Sequence, residues 1–231
     1  MRNKKKYIVI TLILALTACL FAGCSKKEEI KEETPVEVIQ EDVEVIEDNA
    51  IKPIDFVIDL ENVGDQMLSV SFDKDSFFYG PDETLLLELV VYDYEQFDSR
   101  DVNELKEGDV ISLLDEDIVI ETIDALESGD VMINGDLEFG GHILRGDVTG
   151  MFHEIVENDH KKFYEVGNIS LSFSDDFVFV DDSDLDNMGL EYDLDDFLAE
   201  EPPFFFNFSP LNTTVCIKDG KIVEIHRIYI P

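Results

Sequence analysis

The chain has 231 residues, of which 54 are acidic and 17 are basic, so its formal net charge at pH 7 is −37. A surface this negative repels phosphate groups, which argues against nucleic acid and anionic lipid headgroups as partners. Because 45% of the residues are hydrophobic, the chain has enough apolar side chains for a packed core and is not an acidic disordered protein.

The first element along the chain is an export signal, residues 1–23. A basic head that ends at Lys6 precedes an apolar run over residues 7–22, and Gly23 stands directly before Cys24. The apolar run is too short for a comfortable membrane-spanning helix. This layout resembles the signal peptide of a bacterial surface lipoprotein of the Gram-positive type, in which a cysteine after small residues is lipidated. The resemblance implies a lipid anchor on the extracytoplasmic face of the cell membrane.

Two cysteines are candidates for lipidation. The residues before Cys19 fit the usual leucine–small–small pattern, whereas an aromatic residue, Phe21, stands three positions before Cys24. We nevertheless predict Cys24, because the chain stays apolar after Cys19 and becomes charged directly after Cys24. Cys19 is the alternative, and an ordinary cleaved secretory signal is a further one. Cys216 is then left without a partner for an intrachain disulfide, and we expect a small buried side chain there.

Residues 24–53 predict an acidic tether. All acidic residues lie beyond Gly23, so the part of the chain after this glycine carries a formal net charge of −41. The tether is rich in glutamate and has no sustained apolar period, which favours a self-repelling spacer with a reach of roughly 30 Å. The alternative is that residues 43–46 add a strand to the domain that follows.

Residues 54–231 are predicted to form a single β-rich domain, with a subdivision near residue 150 as the alternative. Alternating apolar and polar residues predict strands from Ile54 and from Leu68, and residues 85–94 predict a longer, central strand. Further strands follow at a spacing of about eight to twelve residues, which is typical of antiparallel architectures. We therefore expect a mainly β fold, either an antiparallel sandwich or a barrel-like meander, with one short helix near residues 193–201.

The later strands follow from the same alternation and from turn residues. Asp219-Gly220 between two apolar runs is the strongest hairpin signal in the chain, because both residues tolerate the positive φ of a type I′ turn. The polar segment 98–105 is predicted as a link, and the glycine-rich segment 134–150 is predicted as a loop. The remaining predictions are strands at 110–114, 118–123 and 131–133, a hairpin over 151–166, and an edge-like strand at 169–173.

One acidic loop has the ligand spacing of an EF-hand-type calcium loop. The ligands in order of position are Asp182 at one, Asp184 at three, Asp186 at five, the main-chain carbonyl of Met188 at seven, and Asp193 at twelve. Alternate carboxylates converge on one ion when the chain wraps round it. The sequence therefore predicts a weak Ca²⁺ site, with a dissociation constant of about 10⁻⁴ to 10⁻³ M and a structural role.

Three features depart from the calcium-loop pattern. Position eight is Gly189 instead of an aliphatic residue, Asp193 is shorter than the usual glutamate, and the preceding element is predicted as a strand instead of a helix. With 54 acidic residues in the chain, an ordinary solvated acidic loop is the alternative. Asp193 also fits as the N-cap of the short helix that we expect after it.

Residues 204–208 read Phe-Phe-Phe-Asn-Phe. We expect this segment to pack in the core, and the alternative is an exposed aromatic patch for a ligand or a protein partner.

The sequence contains no motif that assigns a catalytic activity. There is no Gly-x-Ser-x-Gly elbow and no His-Glu-x-x-His motif, and the four histidines are scattered. Our first hypothesis is therefore not an enzyme but a membrane-anchored binding or interaction module for a protein or glycan, stabilised by Ca²⁺. The second is a cell-wall or carbohydrate-active hydrolase, which needs a cleft with two close carboxylates, one of them with a raised pKa.

Overall fold

The computed structural model describes residues 49–54 and 58–230. The predicted signal peptide, the lipidation candidates Cys24 and Cys19, and the tether up to residue 48 lie outside the described residues. The alternative strand at residues 43–46 lies outside them as well. These features stay predictions.

The described part of the chain is mainly β, so the predicted fold class is confirmed. Its strands are β1 (Gln66–Ser71), β2 (Phe77–Tyr79), β3 (Leu85–Asp93), β4 (Phe97–Asp98), β5 (Val110–Leu113), β6 (Glu116–Val119), β7 (Ile123–Ala125), β8 (Val131–Ile133), β9 (His142–Gly146), β10 (Met151–Ile155), β11 (Tyr164–Asp182), β12 (Leu190–Tyr192), β13 (Thr213–Lys218) and β14 (Lys221–Ile228). The α-helices of the described residues are α1 (Ser99–Glu104) and α2 (Leu194–Phe197), and the second lies where the sequence predicts a short helix. Short 3₁₀ helices lie at Lys74–Ser76, Leu137–Phe139 and Glu157–Asp159. No helix in this part of the chain is long and apolar enough to cross a membrane.

Five strands close into a barrel. β3 pairs with β1, β1 with β13, β13 with β14 and β14 with β11, and β11 then pairs with β3. The ring can close because β11 is 19 residues long and changes partner along its length. Residues 164–172 of β11 pair with β3, residues 172–182 pair with β14, and a register shift lies between Phe173 and Val178. All of these pairs are antiparallel except β11–β14, which is parallel.

The barrel is filled by the apolar side chains that alternate along its strands. On β3, Leu87, Leu89 and Val91 are fully buried while Glu88 between them is exposed, which is the period of two that the sequence predicts. The hairpin between β13 and β14 is confirmed, with φ of 49° at Asp219 and 70° at Gly220. The core also contains a group of phenylalanines whose rings contact one another, which we call the aromatic core, at positions 72, 77, 173, 177, 179, 197 and 208.

Residues 97–155 leave the barrel after β3 and return before β11, and we call this segment the inserted lobe. Its sheet has the strand order β4-β10-β9-β8-β7, and β5 and β6 form a separate hairpin. The lobe has its own core, which consists of Phe97, Val102, Leu105, Ile111, Leu113, Ile120, Val131, Ile133, Leu144 and Phe152. Ile51 pairs with Ile111 of β5, so the residues at the predicted end of the tether already contact this lobe. Both cores belong to one compact unit, Ile46–Pro231.

Two predicted loops contain regular structure. The link at 98–105 contains α1, because Asp98 caps the helix through a hydrogen bond from the Arg100 N–H (2.8 Å) and Val102 is buried in the lobe core. The glycine-rich segment 134–150 contains β9. At position 141 a glycine is required, because an added Cβ would lie 1.9 Å from the carbonyl oxygen of Gly135.

One prediction of strand pairing is wrong in part. The chain does turn back around residues 158–161, where Ile155 and Lys161 form an antiparallel bridge, but residues 164–166 belong to β11, whose pairing with β3 begins at Tyr164. The edge-like strand predicted at 169–173 lies inside β11. Among the described residues, 169–171 pair with β3 alone, which agrees with an edge, whereas residues 172 and 173 also reach β14. Alternation reports one solvated face of a strand, but it carries no information on how many strands lie beside it.

Candidate functional site

The predicted calcium loop lies in the connection between β11 and β12. The two strands pair antiparallel, with Asp181 opposite Leu190. Asp182 ends β11, where its Oδ2 lies 2.8 Å from Nε2 of His226 and its Oδ1 accepts the N–H of Gly189. These bonds, that of His226 first, hold the pKa of Asp182 below its usual value. The loop is therefore closed by bonds within the protein.

The other predicted ligands are partly engaged in local hydrogen bonds. Asp184 accepts the side-chain amide of Asn187 at 2.8 Å and the N–H of Asp186 at 3.0 Å, and these bonds lower its pKa. Met188 is exposed in the loop. Asp193 caps α2 by accepting the N–H of Asp196 at 3.0 Å, as its predicted second role requires.

The structure brings Asp182, Asp184 and Asp186 into one loop, but it does not place Asp193 with them. Tyr192 pairs with Phe179 in the antiparallel register, so Asp193 comes level with position 178 of β11. That position is four residues from Asp182 along the strand, a distance of roughly 13 Å. In the part of the chain that the structure describes, no group of three or more His, Cys, Asp or Glu side chains is placed to hold a metal ion. The calcium site stays a prediction.

The phenylalanine segment after α2 points alternately inward and outward. Phe204, Phe206 and Phe208 join the aromatic core, where the ring centroid of Phe204 lies 4.7 Å from that of Phe179. Phe205 between them is 91% exposed. Three phenylalanines of the segment thus pack in the core, and the remaining one, Phe205, presents an exposed aromatic ring.

A buried arginine holds this segment on the barrel. Arg227 of β14 is only 3% exposed and pairs with Asp181 of β11, its neighbour in the parallel register. Its Nε donates to Asp181 Oδ1 at 3.0 Å, a second guanidinium nitrogen donates to Oδ2, and the third donates to the carbonyl of Phe205. The guanidinium carbon lies 5.1 Å from the ring centroid of Phe208 and 5.4 Å from that of Phe179.

Asp181 stays ionised next to this guanidinium. Burial opposes its ionisation, but the hydrogen bonds from Arg227 and from the N–H of Ser183 hold the pKa of Asp181 below its usual value. Sequence reasoning missed the pair. The sequence does contain a pattern that could have indicated the burial of Arg227, since it alternates with Ile225 along one apolar strand, where both residues are buried. A buried arginine needs a carboxylate partner, so this pattern would have predicted an ion pair.

The loop and the phenylalanine segment both contribute lining residues to a cleft of about 600 Å³, which we call the aromatic cleft. It is lined by Asp181, Ser183, Asp184, Leu185, Asp186, Leu190, Tyr192, Pro203, Phe204, Phe205, Arg227 and Tyr229. Several of its apolar side chains are exposed, namely Leu185, Leu190, Phe205 and Tyr229. The cleft therefore has exposed apolar side chains and carboxylates among the residues that line it.

A second, smaller cleft of about 270 Å³ adjoins the β5–β6 hairpin, and we call it the Glu95 cleft. Its lining residues are Lys52, Pro53, Glu95, Ser112, Asp115 and Asp117. Burial raises the pKa of Glu95, the charges of Glu154 and Asp115 raise it further, and the hydrogen bond from the Leu114 N–H opposes the rise. Asp117 accepts a hydrogen bond from the hydroxyl of Ser112. This cleft has the raised carboxyl pKa that the hydrolase hypothesis requires.

A group of buried polar side chains lies on β9 and β10 of the inserted lobe. Glu154 is buried between Nδ1 of His142 at 2.7 Å and Nζ of Lys162 at 2.8 Å. Burial opposes ionisation of Glu154, but these two partners hold its pKa below the usual value. The neighbouring His153 is buried, and its Nδ1 has no hydrogen-bond partner among the residues that the structure describes. Burial lowers the pKa of His153, with a further contribution from Lys161.

Comparison with protein-family models, with curated proteins and with solved structures found no match for this chain.

Proposed function

We propose that the protein is a lipid-anchored, extracytoplasmic binding module whose binding surface is the aromatic cleft. The observation that carries this proposal is the position of Phe205. Its side chain is 91% exposed beside a cleft of about 600 Å³, while its own carbonyl is bound to the buried guanidinium of Arg227. The cleft volume lies within the range of about 300 to 1,000 Å³ that is usual for ligand sites.

The fixed main chain under Phe205 is what suits this ring to binding. An exposed aromatic side chain contributes a large apolar area to an interface, but ordering a mobile segment opposes the gain in free energy. Here Phe204 and Phe206 on either side are packed in the aromatic core, so the segment is ordered before a partner arrives. A ligand therefore has only the side chain of Phe205 to immobilise.

The anchor in this proposal is a lipid on Cys24, with Cys19 as the alternative residue. It is tested by growing cells that express the full chain with a clickable fatty acid and measuring its incorporation into the protein. Cys24→Ser is expected to abolish labelling, whereas Cys19→Ser is expected to leave it. The reverse result would assign the anchor to Cys19, and labelling of neither form would contradict a lipoprotein.

Calcium enters the proposal as a stabiliser of the β11–β12 loop. With Asp193 used as the helix cap, the oxygen atoms available to an ion in this conformation belong to Asp182, Asp184, Asp186 and the carbonyl of Met188. Such a site would have fewer protein ligands than a full calcium loop, which is consistent with the weak affinity expected from the sequence.

The binding surface is tested by photo-crosslinking in the cells that carry the protein. A photoreactive phenylalanine analogue replaces Phe205 in one strain and Phe139 in another. Phe139 is the matched control, because it is 85% exposed in the inserted lobe, away from the aromatic cleft. A discrete adduct from position 205 and none from position 139 is expected, and equal adducts from both positions would contradict the proposal.

A second candidate function, a carbohydrate-active hydrolase, is favoured by the Glu95 cleft. A carboxyl with a raised pKa can act as a general acid, and Asp115 and Asp117 line the same cleft as potential carboxylate partners. The test is release of a fluorophore from a chitooligosaccharide conjugate by the full chain. Activity lost in Glu95→Gln and kept in Glu88→Gln, an exposed glutamate on β3, would support the hydrolase. No activity above the Glu95→Gln background would contradict it.

A further inference from the structure

The side chains around the aromatic cleft are strongly and uniformly acidic. Between Asp181 and Glu201 the chain has ten carboxylates and no lysine, arginine or histidine. Arg227 is the one basic residue among those that line the cleft, and its charge is already paired with Asp181. Asp184 and Asp186 therefore line the cleft together with one cationic side chain, Arg227, whose charge is already taken up by Asp181.

The same cleft also has an apolar component that charge alone does not explain. Leu185 lies in the loop between the two acidic residues, and Phe205 of the phenylalanine segment lines the same cleft. Both side chains are more than half exposed. Together with Leu190 and Tyr229 they give the cleft several exposed apolar side chains, and exposed apolar surface that is grouped in this way favours association.

From this combination we infer that the occupant of the aromatic cleft is a cationic polypeptide segment, in which an apolar side chain stands next to lysine or arginine. This inference rests on the proposed function. The apolar side chain packs against Leu185 and Phe205, and the basic side chains on either side of it pair with Asp184 and Asp186, so the peptide and a Ca²⁺ ion in the β11–β12 loop would compete for these two carboxylates. Positive groups are attracted from beyond contact distance, because the charge of the whole chain has the same sign as that of the cleft.

Other classes of occupant fit these charges less well. Phosphate-bearing polymers and anionic lipid surfaces are repelled by the same carboxylates. A neutral glycan can stack on an aromatic ring, but it gains nothing from an excess of negative charge. A basic peptide gains from both features of the cleft, and its binding must weaken with salt because exposed ion pairs are screened.

The test is isothermal titration of the full-length protein in non-ionic detergent with defined synthetic probes. The first probe is the peptide Gly-Lys-Phe-Lys-Leu-Lys-Gly, and the second has glutamate in place of each lysine. The third has serine in place of phenylalanine and leucine, and the fourth is chitotetraose. We expect binding of the first probe alone, with an affinity that falls about tenfold or more between 50 and 500 mM NaCl.

Variants of the protein locate the binding site. Phe205→Ser, and Asp184→Asn combined with Asp186→Asn, are each expected to weaken binding of the first peptide at least tenfold. The matched controls are Phe139→Ser in the inserted lobe and Asp175→Asn combined with Asp176→Asn, two exposed carboxylates of β11. The controls are expected to change the affinity less than twofold, and thermal unfolding verifies that all variants are folded.

The other outcomes separate this inference from the proposed function. If the control pair of aspartates matters as much as Asp184 and Asp186, the peptide responds to overall charge and the inference is overturned. If chitotetraose or the glutamate peptide binds and Phe205→Ser abolishes that binding, the cleft is a binding site for another class of ligand. If no probe binds in a way that depends on Phe205 and position 205 also gives no crosslink in cells, both proposals fail.

Discussion

Replacing Arg227 by methionine tests whether the buried ion pair holds the aromatic cleft together. The substitution keeps the apolar stem but removes every hydrogen bond that the guanidinium makes to Asp181 and to the carbonyl of Phe205. Asp181, 6% exposed, is then left as a buried carboxylate whose remaining hydrogen-bond partner among the described residues is Ser183. Breaking a buried pair in this way costs about 3 to 5 kcal/mol of unfolding free energy. For a domain of this size that loss lowers the melting temperature by roughly 10 °C.

The pH dependence of this loss provides a second, independent readout. In the natural protein the folded-state pKa of Asp181 is lowered, so its contribution is present above the unfolded pKa and is lost as the pH falls through the folded pKa. In Arg227→Met burial has no opposing cation and raises that pKa, so the carboxyl can take up a proton in the folded state. The difference in unfolding free energy between the two proteins should therefore be smaller at pH 4.5 than at pH 7.

The assay is urea-induced unfolding of the full chain, followed by circular dichroism at both pH values. Arg100→Met is the matched control, because the side chain of Arg100 is 74% exposed and its contacts with Asp98 and Asp101 are 3.8 and 3.9 Å long. We expect the control to change the unfolding free energy by less than about 1 kcal/mol. A loss below 1 kcal/mol for Arg227→Met, or a larger loss at pH 4.5 than at pH 7, would refute this reasoning.

Three further predictions follow from the same structure. Phe204→Ser should lower the unfolding free energy by about 2 to 4 kcal/mol, because the Phe204 ring packs in the core. Phe205→Ser should lower it by less than about 0.5 kcal/mol, because Phe205 is exposed. Equal losses in thermal unfolding would contradict the alternating arrangement. If calcium binds the β11–β12 loop with a dissociation constant of about 0.1 mM, 2 mM Ca²⁺ should add about 1.8 kcal/mol to the unfolding free energy. Mg²⁺ should add less, the increment should vanish in Asp184→Ala combined with Asp186→Ala, and equal effects of both ions would mean general screening. Burial lowers the folded-state pKa of His153, so the neutral form is favoured in the folded protein. The contribution of His153 to the unfolding free energy is therefore complete above the unfolded-state pKa of about 6.5 and decreases as the pH falls below that value. His153→Phe should therefore reduce the loss of stability between pH 7.5 and pH 5, and an unchanged pH profile would show that this histidine does not carry it.

The candidate site was only partly accessible from the sequence. The phenylalanine segment and the acidic loop are both visible as patterns, and the helix cap at Asp193 follows from local spacing. The pairing of Asp181 with Arg227 does not, because the two residues are 46 positions apart and meet through a parallel strand pair. Local alternation can mark Arg227 as buried, but it cannot say which of the 54 acidic residues lies beside it.

The spacing of the acidic loop illustrates the same limit. Five oxygen donors at calcium-loop intervals describe a loop that wraps round an ion, but the strand pairing of Phe179 with Tyr192 makes the connection a β-hairpin. In a hairpin, residues that are far from the turn move apart along the strands, which takes Asp193 away from Asp182. Ligand spacing therefore predicts a site only when the flanking elements also match.

The sequence itself establishes the β-rich class, the strands of the barrel core and the hairpin at Asp219-Gly220, because these depend on contacts and turns between near neighbours in the chain. It also establishes the acidic character, from which we expect that nucleic acid is not a partner. The closure of the barrel, the insertion of a second lobe after β3 and the composition of the aromatic cleft depend on the tertiary structure. All three follow from the 19-residue strand β11, which pairs with β3 at one end and with β14 at the other. Such pairings join residues that are far apart in the sequence. Their stabilising free energy arises only when the whole fold is assembled, so no local sequence pattern predicts them.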